Sequence, residues 1–121
     1  KHVEYAEECW QAAQVAFGWM QDLCEEHGVA LSIAFEGSGQ HAARLKEICA
    51  AEGIAYVDLA PAFDRYYAST DAPESVRFEW DPHFNALGHR LVAEGIDEGL
   101  ARLRVAAGDA DPESDDDRKS R

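Results

Sequence analysis

A chain of 121 residues, 46% of them hydrophobic, suits a single domain with a modest core, since roughly two thirds of the unfolded surface is buried at that length. Its formal net charge of −13, with no Lys/Arg cluster interleaved with aromatics, repels phosphate backbones and argues against nucleic acid as a partner. No apolar run approaches the ~20 residues that cross a bilayer, so no membrane span is expected.

From Val3 the positions Val3, Ala6, Trp10, Ala13, Phe17, Met20 and Cys24 recur every three or four residues, the spacing of one helical face, and Gly28 supplies the stop. "VALSIAF", Val29 to Phe35, is a short apolar run bounded by glycines, as expected of a strand covered on both faces. "QHAARLKEICAAEG" returns to helical spacing through Ala42, Leu45, Ile48 and Cys49, and Gly53 closes it. "IAYVDL", Ile54 to Leu59, is a second strand, and two strands joined by a helix predict a parallel, right-handed βαβ unit.

"APAFDRYYASTDAPESVR" reads as a polar loop with one helical turn near Phe63. The last helix carries Leu87, Leu91, Ile96, Leu100 and Leu103 on one side, with Asn85 as its N-cap. Residues 106–121 read as a disordered acidic tail, because "GDADPESDDDRKSR" has no apolar residue larger than alanine to bury. Two parallel strands make a poor sheet, so residues 1–105 are expected to be the C-terminal part of a domain whose other strands precede Lys1.

Cys9, Cys24 and Cys49 lie in helical segments without CxxC or Cys/His ligand spacing. They read as buried free thiols rather than a disulfide or a metal site, which leans towards a reducing, cytoplasmic setting. Nothing in the chain calls for a cofactor.

"FEWDPHFNALGHRL", Phe78 to Leu91, carries the chemistry. Pro82 biases Asp81 towards extended backbone, where residues i and i+2 point the same way, so Asp81 and His83 project to one side. A carboxylate on Nδ1 fixes the imidazole tautomer and leaves Nε2 free to take a proton from a nucleophile.

"DPHFNALGHRLVAEGI" resembles the last conserved block of the SGNH hydrolases, or GDSL esterases and lipases, in which Asp and His precede an Asn, a small residue and Gly-His at a helix start. "CAAEGIAYVDLAPAF" is similar to the helix, strand and Asp-Leu-x-Pro-x-Phe turn before that block, so the resemblance spans about Val3 to Leu103. It implies a flavodoxin-like, three-layer α/β/α sandwich with a parallel sheet, and a serine hydrolase of esters in which Asp81 is the acid and His83 the base. The family's Gly-Asp-Ser nucleophile block and its oxyanion Gly and Asn have no counterpart here. They are expected upstream of Lys1, leaving the chain by itself inactive.

Other residues have plainer readings. Ser38 in "FEGSGQH" lacks the G-x-S-x-G spacing of a nucleophile elbow and reads as a turn or cap. Asp58 reads as loop-capping rather than a metal ligand, and His89 as packing. Trp80 either lines an acyl pocket, as a substrate-binding residue, or covers the core edge. His2, His27 and His41 read as solvent-facing, His27 suiting a helix C-terminus. The expected substrate is a small-molecule, carbohydrate or lipid ester. The alternatives are an O-acetyltransferase of the same fold, a noncatalytic α/β binding or scaffold module that keeps the Asp-x-His block, and a metal-dependent hydrolase completed by ligands outside this chain.

Overall fold

The computed structural model describes residues 2–108. The elements run α1 (His2–Glu26), β1 (Ser32–Phe35), α2 (Gly39–Glu52), β2 (Ala55–Asp58), α3 (Ala60–Ala68), β3 (Arg77–Phe78), β4 (Asp81–Phe84) and α4 (Ala86–Ala107). The chain is thus mixed α/β, mostly helical, with β1 and β2 forming a parallel pair in the register Ser32↔Ala55 to Phe35↔Asp58. Helix α4 runs past Val105 to Ala107 and ends on Gly108, whose left-handed backbone (φ 78°) returns an N–H to the carbonyls of Arg104 and Val105. The rest of the expected tail, 109–121, lies outside the described residues.

Alternation along the strands sorts the core into two clusters. Val57 and Leu59 join Phe63, Val76 and Leu91, with Ile96 and Leu103 of α4 packed against them. Leu45, Cys49 and Ile54 form the second cluster, against which Phe17, Ile33, Phe35 and Tyr56 pack. Helices therefore flank both sides of β2, α4 on one and α2 on the other, and α1 packs on α2. Burying a side chain such as Val57 or Leu91 contributes about 1.5–3 kcal/mol, so these clusters supply most of the cohesion.

Four expectations change. Strand β1 is shorter than Val29 to Phe35 and is not covered on both faces: Ser32 and Ala34 are exposed while Ile33 and Phe35 are half-buried. Among the described residues, the side of β1 that carries Ile33 and Phe35 packs on the cluster of Leu45, Cys49 and Ile54. The single turn near Phe63 is a nine-residue helix, α3. Pro61 fits its first turn, where a missing N–H costs nothing, and Ala62 and Phe63 are buried on its inner face.

On α4 the expected apolar side does face the core, with Leu91 buried and Leu87, Ile96 and Leu103 packed on it, but the other fully buried positions are the glycines Gly88, Gly95 and Gly99. A Cβ on Gly99 would stand 2.3 Å from Val57 Cγ1, and one on Gly95 would stand 2.9 Å from Leu59 Cδ2. Glycine is what lets the helix backbone lie this close to β2. Finally, of the three free cysteines only Cys49 is buried; Cys24 is half-buried and Cys9 exposed.

Burial raises the Cys49 thiol above its usual range, and a thiol rather than a thiolate is a poor nucleophile. A maleimide is expected to modify Cys9 in the native protein more than about tenfold faster than Cys49. Peptide mass mapping checks this, and equal rates would mean that the α2 face opens readily.

Candidate active site

The segment ahead of α4 is a hairpin: the extended backbone expected at Asp81 to His83 is strand β4, and its partner β3 begins at Arg77, the end of the expected loop. β3 and β4 pair antiparallel through Arg77↔Phe84 and Phe78↔Asp81, with Glu79 and Trp80 at the tip and an irregular step between Arg77 and Phe78. Its base is held by packing. Val76 is buried, and the Phe84 ring lies 5.5 Å from that of Phe63. Alternation then turns Phe84 inward and leaves Asp81 and His83 exposed on β4.

Asp81 and His83 meet as expected. Asp81 Oδ1 accepts the His83 backbone N–H at 2.9 Å and also contacts His83 Nδ1. With the carboxylate on Nδ1, the neutral ring carries its proton there and Nε2 keeps a lone pair. That is the arrangement of a general base backed by an acid. The ring is open to a reactant, the His83 side chain being 83% exposed.

Asn85 fixes where the hairpin ends. Its Oδ1 accepts the Gly88 N–H at 3.0 Å, the side-chain cap foreseen for α4, while Nδ2 donates to the Ser75 carbonyl at 2.6 Å. Its backbone N–H reaches the Val76 carbonyl at 3.0 Å. The His89 backbone N–H donates to the Asn85 carbonyl at 2.9 Å, and its ring meets Phe84 edge-on at 6.2 Å, in keeping with a packing role.

The hairpin is also tied to the parallel sheet. Arg77 donates through Nη1 to the Pro82 carbonyl and through Nη2 to Glu36, and its guanidinium lies 4.3 Å from the Phe84 ring centroid. Glu36 directly follows the last residue of β1. The dyad therefore sits by the carboxyl end of a parallel strand, the usual place for function in open α/β sheets. Sequence reading missed both Arg77 and Glu36. They stand 41 positions apart, and no periodic pattern joins them.

The remaining candidates fall into place individually. Asp58 accepts the Ala60 N–H at 3.1 Å and the Lys46 ammonium at 3.1 Å, the loop-capping reading. That hydrogen bond raises the Lys46 pKa, so its contribution is complete below the ordinary lysine value and is lost as pH rises through the raised one. Ser38 occupies the N-cap position of α2 without a side-chain cap bond. Trp80, 91% exposed at the hairpin tip, does not cover the core edge. His27 Nδ1 bonds the Leu23 carbonyl at 2.9 Å at the end of α1, and the His41 ring lies 5.8 Å from that of Trp10.

No protein-family model, curated protein or solved structure matches the chain. Among the described residues no group of three or more His, Cys, Asp or Glu side chains is placed to hold a metal ion, and no helix is long and apolar enough to cross a membrane. Asp81 and His83 thus form a hydrogen-bonded carboxylate–imidazole pair, exposed beside the carboxyl end of β1. Among the described residues, His83 has Asp81 as its hydrogen-bond partner and no serine.

Proposed function

We propose that this chain supplies the acid and base of a serine ester hydrolase of the SGNH type, and that the nucleophile comes from sequence preceding Lys1. The observation that carries the reading is the contact between Asp81 and His83 Nδ1 on a hairpin anchored at the carboxyl end of β1. The sheet points the same way. Two strands alone leave backbone donors and acceptors along their outer edges, and further parallel strands beside them would complete a flavodoxin-like α/β/α sandwich.

In this reading His83 Nε2 removes the serine proton as Oγ attacks the ester carbonyl, and Asp81 stabilises the resulting imidazolium. The imidazolium then protonates the departing alkoxide, and the acyl-enzyme passes its acyl group to water. Transfer to a sugar hydroxyl instead would make the protein an O-acetyltransferase with the same dyad. Oxyanion donors belong, like the serine, to the preceding sequence.

A serine-directed fluorophosphonate tests the assignment on the complete protein. Stoichiometric labelling of one serine upstream of Lys1, abolished by His83→Ala, is expected. Labelling of Ser32, Ser38, Ser69, Ser75, Ser114 or Ser120 would place the nucleophile inside this chain and overturn the division of labour. A second reading, a noncatalytic α/β module, is favoured by one observation, the exposure of both dyad side chains without a bonded nucleophile among the described residues. Complete protein that is folded yet takes no label would select it.

A further inference from the structure

The geometry points to Arg77, paired with Glu36, as the positioning residue that sets the Asp81–His83 dyad against the carboxyl end of β1; this deepens the esterase reading and rests on it. The Asp81–His83 contact is internal to β4 and says nothing about where the pair stands in the fold. Placement has to come from contacts that leave the hairpin, the packing of Phe84 on Phe63 and the ion pair of Arg77 with Glu36.

Arg77 makes that ion pair with one arm of its guanidinium while the other arm grips the hairpin from within. One nitrogen donates to the carbonyl of Pro82, the residue between acid and base, and another donates to Glu36 at the end of β1. The Phe84 ring, itself packed on Phe63, lies against the guanidinium plane and restricts its swing. A planar fork with donors at fixed angles can hold a carbonyl and a carboxylate at once, whereas the single ammonium of lysine cannot reproduce that span. The backbone of Arg77 is pinned as well, its N–H donating to Ser75 Oγ at 3.2 Å and its carbonyl accepting from that hydroxyl at 2.8 Å.

Stability is not the main business of this bridge. Both side chains remain partly exposed, 40% for Arg77 and 32% for Glu36, and ion pairs of that kind contribute little to folding. Misplacing a reacting group by an ångström, in contrast, costs on the order of a hundredfold in rate. Loss of Arg77 should therefore reach turnover much more than melting temperature.

The test compares Arg77→Ala, Arg77→Lys, Glu36→Gln and the Arg77→Ala/Glu36→Gln double variant in the complete protein, with a soluble acetyl ester as substrate. Arg77→Ala is expected to lower kcat by roughly ten- to a hundredfold with KM within about twofold, and to lower Tm by less than about 4 °C. Arg77→Lys should recover only part of the loss, and the double variant should be no worse than Arg77→Ala, because both changes break one bridge. By 15N NMR, His83 should keep its Nδ1–H tautomer in Arg77→Ala while the Asp81 and His83 amides become more mobile, their order parameters falling from about 0.85 towards 0.6. Unchanged kcat together with unchanged amide mobility would overturn the proposal, as would full recovery with lysine. The mobility measurement needs no turnover. Wild-type protein without esterase activity would refute the functional reading alone, and the amides would still report whether Arg77 holds the dyad in place.

Discussion

Replacing His83 with alanine in the complete protein is expected to lower kcat for ester hydrolysis on the order of a thousandfold or more, with the fold intact. Without the imidazole the serine hydroxyl stays protonated at neutral pH and its oxygen is a weak nucleophile. Little structural cost should accompany the change, since the His83 side chain is 83% exposed and buries almost no apolar area. Asp81→Asn should also impair turnover, through the wrong tautomer, because an amide can donate to Nδ1 and move the ring proton to Nε2. Steady-state kinetics beside thermal melts checks both. Wild-type kcat in folded His83→Ala protein, with an unaltered pH profile, would end the assignment of His83 as base.

Gly88→Ala is expected to destabilise the domain by about 1–3 kcal/mol, the usual range for overpacking. A Cβ there would stand 2.3 Å from the Val76 carbonyl oxygen and 2.7 Å from Phe84 Cδ1. Neither is the free end of a flexible side chain. The obstruction is the backbone at Val76, directly before β3, so relief requires that segment and α4 to separate. At roughly 4–8 °C per kcal/mol for a domain of this size, the melting temperature should fall by at least about 4 °C. Esterase activity should fall with it, because the same movement shifts the segment carrying Asp81 and His83. A melt within about 2 °C of wild type would show that the α4 N-terminus yields more easily than its packing implies.

Local signals were the legible ones. Gly53 ended α2 in a left-handed turn, Asn85 capped α4, and the Asp-Pro-His triplet brought acid to base, each through chemistry among residues close in sequence. What escaped notice was tertiary. The apolar side of α4 was legible, but the glycines set beside Leu91 were not, because only the close approach of Val57 and Leu59 calls for absence of side chain at Gly99 and Gly95. Helix α3 was hidden in a polar stretch because its core side, Phe63 and Tyr66, spans a single turn and is set among Asp64, Arg65 and the Ser-Thr-Asp run that follows. The hairpin escaped because β3 is only two residues long and Arg77 finds Glu36 across the fold.

The spacing of Asp81 and His83 carries a kinetic consequence. Bringing two groups together costs loop-closure entropy that grows with the length of chain between them, and here that chain is one residue. The acid–base contact can thus form in a nascent or partly melted chain almost as readily as in the finished domain. Its presence would be no sign of maturity. Activity lost on gentle heating would instead report the long-range joins, above all the one from Arg77 to Glu36, and a His83 tautomer signal could outlast turnover well into the thermal transition.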